Sequence, residues 1–164
     1  MSLLAILEWP DPRLSQRAAP VGKVTPELRA LAADMLETMY AAPGRGLAGP
    51  QVGAMLRIFV MDVTWKEGQP DPQVVLNPEI EPLGDAVCTR AEGCLSLPGI
   101  LTDITRPARV LMRWRDLEGV AHEAVLEDFA AACVQHETDH LDGIVTLMRL
   151  APEARAAAEA EYYG

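Results

Sequence analysis

Basic side chains are scarce in this chain: Lys and Arg number 14 against 24 Asp and Glu, a net charge of -10 over 164 residues. No basic stripe is available to displace counterions from a phosphate backbone, which argues against nucleic-acid binding as the main activity. Cysteine is sparse too. Cys88, Cys94 and Cys133 cannot all pair and are too few for a disulfide scaffold, so free thiols or a metal ligand in a reducing compartment fit better. No apolar run approaches membrane-spanning length. The first residues, Met1 to Leu7, lack a basic flank and are interrupted by Glu8 and Pro10, unlike a signal peptide. These absences leave a cytoplasmic protein without a membrane segment as the expectation. Internal repeats are also missing, and the only biased tract is the Ala-rich end. What is present is a 49% hydrophobic composition, enough for one core. The expectation is a single catalytic domain over 1–164, with 151–164 as a helical tail.

Turn chemistry divides the chain. Pro10-Asp11-Pro12 forces an early turn, and irregular backbone continues to Val24. Thr25-Pro26 pairs a capping hydroxyl with proline at the first helical position. Leu28, Leu31, Met35, Leu36 and Met39 then recur at helical spacing until Pro43-Gly44. Arg57–Asp62 and Val74–Leu76 read as short strands. Arg109–Arg115 and Val120–Leu126 read as an antiparallel pair around Asp116-Leu117-Glu118-Gly119. Asp128 is the expected cap of a second helix, from Phe129 through His140 to a stop at Gly143. Pro152 opens a last helix whose polar positions predict a solvated tail. The class is α+β, with antiparallel strands packed around a central helix.

That second helix carries Gln135-His136-Glu137-Thr138-Asp139-His140, an H-E-x-x-H pattern holding two of the three histidines. Four residues apart on a helix, His136 and His140 share one face and can grip one metal ion. Glu137 is then placed to take a proton from a metal-bound water. The bland reading, a polar helical turn that matches by chance, is disfavoured by the apolar run that precedes it.

A catalytic metal needs a third protein ligand. Thr146 stands where one protease class needs its last histidine. Glu159 and Glu161 lie on the expected exposed tail. Cys133 is seven residues from His140, roughly 10 Å of helix rise and too far to share the ion. Cys94 remains, in Glu92-Gly93-Cys94-Leu95-Ser96, where glycine permits close backbone approach and a thiolate suits a borderline divalent ion. A third segment, Gly44-Arg45-Gly46-Leu47-Ala48-Gly49-Pro50-Gln51, is glycine-dense and ends in an amide. It lacks the Gly-Lys-Ser/Thr ending of a phosphate loop.

In this order the three segments resemble the signatures of the peptide deformylase family: G-x-G-x-A-A-x-Q, E-G-C-x-S and Q-H-E-x-D-H. The likeness reaches through Pro10 to Leu14, Thr38 to Pro43, Leu76 to Ile80 and Arg106-Pro107, nearly the whole chain up to Leu150. The resemblance implies that Cys94, His136 and His140 hold one metal, physiologically Fe2+, with Zn2+, Ni2+ or Co2+ as substitutes. It implies that Glu137 is the acid–base and that the Gln51 side chain and Leu95 N–H stabilise an oxyanion. Gly46 would contact substrate through its backbone. The substrates would be N-formylmethionyl nascent chains at the ribosome exit, the products formate and a free amino terminus, and the enzyme a monomer. A metallopeptidase, a deacylase for another N-acyl group, or a paralogue without turnover are the competing readings, and the intact Glu137 argues against the last.

The departures from the pattern are specific. Arg45 and Arg90 replace apolar residues expected to line the first-residue pocket, Gly49 replaces an alanine, and Asp128 stands where glycine is usual. Thr146 and Met148 break a Phe-x-Asp ending. Either the two arginines wall the pocket and alter its preference, or their stems alone approach substrate while the guanidinium groups reach solvent.

Overall fold

The computed structural model describes residues 2–164. Its frame is a five-stranded antiparallel sheet in the order β1-β2-β3-β6-β7, formed by Gly46–Ala48, Ile58–Met61, Gln73–Pro82, Arg109–Arg115 and Ala121–Glu127. β4 (Val87–Cys94) and β5 (Leu97–Pro107) form a separate hairpin. β2 is buried along its whole length, and the strand period divides its side chains between two cores. Ile58 and Val60 join Leu28, Ala32, Met35 and Met39 of α1 (Pro26–Ala41) on one face. Phe59 and Met61 join Val75, Val110, Met112, Ala131, Val134 and Leu141 on the other, against α2 (Asp128–Leu141). The H-E-x-x-H helix is thus held by the sheet and the hairpin, and the α+β expectation is met.

Local chemistry accounts for most boundaries. The Thr25 side chain accepts from the Leu28 N–H at 3.2 Å, with Pro26 at the first helical position, so α1 starts where the sequence places it. β3 runs past Asn77-Pro78 instead of ending at Leu76. The register with β6 breaks between Leu76 and Glu79, so the proline sits at a bulge where no ladder donor is needed. Asn77 takes a positive φ of 50° there, and its side chain exchanges two 2.8 Å hydrogen bonds with the Val21 backbone.

Two expectations need correction. Asp128 is not the cap of α2. It is the first helical residue with φ of 52°, Glu127 occupies the cap position, and no side chain caps the helix. That left-handed backbone is the physical reason glycine would be at ease at this position. The last helix, α3 (Pro152–Tyr163), is mostly exposed as expected, yet one edge is docked. Ala158 is buried with Leu14, Leu97, Val145 and Leu147, and the Tyr162 hydroxyl donates to the Trp9 carbonyl at 2.7 Å.

The Tyr162 contact predicts a measurable stability term. Tyr162→Phe keeps the ring and removes a half-buried hydrogen bond, costing about 1 kcal/mol and lowering Tm by about 2–4 °C. A melting curve superimposable on wild type would show that the tail is not anchored there.

Candidate active site

Cys94 ends β4 at a register shift between Gly93 and Cys94, after which Leu95-Ser96 turn the chain into β5. A bulge at this point re-aims the thiol towards α2. His136 and His140 stand one helical turn apart, ring centroids 5.0 Å from each other. The ligand atoms of Cys94, His136 and His140 all lie within 4.8 Å of one another, and Cys94 Sγ is 3.3 Å from His140 Nε2. Donors on a tetrahedral ion with about 2.3 Å to sulfur and about 2.0 Å to imidazole nitrogen are about 3.5 Å apart. The three residues therefore fit a small divalent ion.

The surroundings complete that fit. Glu92 Oε1 sits 2.9 Å from His136 Nδ1, which leaves Nε2 of the same ring as the ligand atom. The carboxylate is itself gripped by both Nε and Nη2 of Arg106, at 2.7 and 2.9 Å. Burial alone would raise its pKa, but His136 and Arg106 hold it below the ordinary carboxylate range. Arg106 also donates to Asp139 at 2.8 Å, and Arg149 binds the same Asp139 at 2.6 and 3.1 Å. Of these four residues the sequence singled out none for a role. Glu92 was visible only as the first letter of the cysteine motif, and Arg106 only as part of Arg106-Pro107.

Glu137 lies beside the ligands, buried, with Oε1 free of any hydrogen bond among the described residues. Burial pushes its pKa up to about 7, opposed by His136 and Arg106. Burial also penalises the cationic form of both histidines. It carries His140 well below the usual imidazole range, whereas Glu137, Cys94 and Glu92 outweigh it at His136 and hold that ring above it. Gly46 is packed directly against the base: a Cβ there would meet Glu137 Oε2 at 2.5 Å. Gly49 admits no alanine either, since its Cβ would sit 2.6 Å from the Ala54 carbonyl.

Gln51 is 1% exposed. Its Oε1 accepts from the Ala48 N–H at 3.0 Å, which turns Nε2 towards Ser96 Oγ at 3.0 Å and Cys94 Sγ at 3.7 Å. Backbone bonds from Leu7 to Gln51 and from Trp9 to Ser96 brace both from behind. Leu95 stands at the hairpin tip beside Cys94. Gly46, Gln51, Cys94, Leu95, His136 and Glu137 line one cavity of about 750 Å³, together with Arg45, Arg90, Leu101, Phe129, Ala132 and Cys133. The Cys133 thiol is buried and points to the Arg45 carbonyl at 3.8 Å, outside the ligand set. Glu159 is paired with Arg155 at 3.0 Å on α3.

Two substitutions follow. Glu92→Gln loses the charge that orients His136, so metal affinity should fall roughly 10–100-fold, read by competition with a chelator; an unaltered affinity would make Glu92 purely structural. Gly46→Ala should keep the fold and the metal while displacing Glu137, lowering kcat at least about tenfold. Full activity in that variant would mean the contact is not tight.

Over residues 3–156 the chain matches the family described as polypeptide deformylase. It is 48% identical over 145 residues to a peptide deformylase of Afipia carboxidovorans, spanning 88% of this chain and 85% of that one. It is 47% identical over 155 residues to one from Acinetobacter baumannii, spanning 94% and 87%. The crystal structure of peptide deformylase from Ehrlichia chaffeensis in complex with actinonin superposes with a TM-score of 0.91 at 39% identity, covering 98% of this chain and 96% of that one. With both the sequence and the architecture matched nearly end to end, the chain belongs to the polypeptide deformylase family.

Proposed function

We propose that this site removes the formyl group from N-formylmethionyl nascent polypeptides, with Cys94, His136 and His140 holding one divalent ion, ferrous iron in the cell, and Glu137 moving the proton. The observation that carries the reading is a buried carboxylate with an unpartnered oxygen, beside a Cys-His-His donor set on the floor of an open pocket. When bound, the ion supplies Lewis acidity that makes water a nucleophile at neutral pH. Glu137, buried beside the donor set with one carboxylate oxygen unpartnered, accepts the proton of the water attacking the formyl carbon. It returns that proton to the amine nitrogen as the C–N bond breaks, giving formate and a free amino terminus. The oxygen that becomes anionic accepts from Gln51 Nε2, which exchanges Ser96 for it, and from the Leu95 N–H. Gly46 belongs to β1, at the edge of the sheet, where an extended peptide can lie against open backbone.

The enzyme acts as a monomer on chains emerging from the ribosome in the cytoplasm. No helix among the described residues is long and apolar enough to cross a membrane. The net charge of -10 disfavours direct contact with ribosomal RNA.

Formate release from a formyl-Met peptide, assayed anaerobically beside elemental analysis, tests the reading. Internal cleavage or release of another acid would overturn it. Glu137→Gln should retain metal and lose activity by roughly 10²–10⁴-fold. Near-normal turnover in that metal-loaded variant would remove Glu137 from the mechanism.

A further inference from the structure

Gly44, Arg45 and Gly46 line the pocket beside the base, and two of the three have no side chain. A Cβ at Gly46 would meet Glu137 Oε2 at 2.5 Å, and one at Gly44 would meet Leu95 Cδ1 at 3.0 Å. This backbone is therefore packed between the proton-transferring carboxylate and the tip of the hairpin. Chain so rich in glycine is easily displaced unless something outside it fixes its path. The neighbouring strand does so for most of it. Gly46, Leu47 and Ala48 pair with Met61, Val60 and Phe59, and one step earlier the Asp62 N–H donates to the Arg45 carbonyl at 2.9 Å. There β2 ends and the chain turns away, so the Gly44 carbonyl has no strand beside it.

Trp65 fills that place. Its indole Nε1–H donates to the Gly44 carbonyl at 2.9 Å. The Gly44 N–H meanwhile donates to the Met39 carbonyl of α1 at 2.8 Å, so the residue is held on both sides. The indole is supported in turn. Its ring meets Tyr40 edge to face, with centroids 5.2 Å apart. Residues 63–72, the loop that carries it, are closed at the base by the fully buried Asp62, whose carboxylate accepts from the Tyr40 hydroxyl at 2.5 Å and from the Asp71 N–H at 3.0 Å. Inside the loop the Thr64 hydroxyl donates to the Gln69 carbonyl at 2.6 Å, and the Gly68 N–H donates to the Trp65 carbonyl at 3.1 Å. This chain of anchors ends in one bond, to the carbonyl of a residue that lines the pocket.

Resting on the deformylase reading above, we propose that Trp65 is a positioning residue: its indole N–H extends the ordered edge of β1 back to Gly44 and holds in line the backbone on which the residues after formylmethionine dock. Without that bond the Gly44 carbonyl turns to water, and each bound peptide must order residues 44–46 again. The loss falls on the binding of extended peptides. Glu137 is carried by α2 and keeps its place.

The test compares wild type with Trp65→Phe, which keeps a ring against Tyr40 and deletes the donor. Two substrates are used, a formyl-Met tripeptide and formyl-methionine amide, of which only the first has residues to lay along β1. In metal-loaded W65F the KM for the tripeptide should rise about three- to tenfold while kcat stays within about twofold, and kcat/KM for the amide should change by less than about twofold. General destabilisation would lower kcat for both substrates alike by reducing the active fraction. Equal losses on the two substrates, or an unchanged KM for the tripeptide, overturn the proposal. Placing 3-benzothienylalanine at position 65 keeps the bicyclic shape without the N–H; it should give the same split, and it decides the matter if W65F does not fold. Absence of formate release by wild type from both substrates would defeat the deformylase reading. Calorimetric affinity of metal-loaded Glu137→Gln for the tripeptide, with and without W65F, then decides the role of Trp65: no loss of affinity on adding W65F overturns it.

Discussion

One buried guanidinium holds the site together. Arg106 on β5 binds Glu92 across the hairpin and Asp139 on α2, joining the element that presents Cys94 to the helix that presents His136 and His140. Its side chain is 7% exposed, and burying such a charge costs several kcal/mol unless every donor is met. Here the donors are met by two carboxylates, and the second is in turn held by Arg149. The network contributes less to net stability than to registration: it permits one placement of the hairpin against the helix, and that placement brings three ligand atoms together.

Two departures from ordinary backbone geometry lie beside this junction. The bulge at Gly93/Cys94 turns the thiol inwards, and the positive φ at Asp128 starts α2 abruptly after β7. Gly46 and Gly49 bring main chain against Glu137 and the Ala54 carbonyl where no side chain fits. The regular helix α2 directs His136, Glu137 and His140, while the irregular residues direct Cys94 and bring the backbone close to Glu137.

Much of this was legible in the residues. Helical spacing with a Thr-Pro start located α1, and the H-E-x-x-H pattern with Gly143 located α2, because both signals are local. Cys94 was reachable by setting aside Thr146, Glu159, Glu161 and Cys133 and from the glycine beside it. The β4–β5 hairpin was not read as strands, since only alternate residues of β4 are even partly buried and the burying partner is remote in sequence. The Glu92–Arg106–Asp139 chain escaped for the same reason, joining positions 14 and 33 residues apart that no periodicity relates. The bond between Trp9 and Tyr162, 153 residues apart, was beyond any local signal, so an Ala-rich helix looked like tail alone.

That last bond bears on how the molecule assembles. Trp9 also donates its N–H to Ser96, directly behind the Gln51 amide, so the rear wall of the pocket leans on a segment that α3 clasps from outside. A contact of such sequence separation closes a very large loop, an entropic cost that its packing and hydrogen bond must offset. The sheet and its two helices rest on contacts nearer in sequence, while the backbone behind Gln51 and Ser96 is braced by a segment that α3 holds. The back of the pocket is therefore tied to a helix that lines none of it.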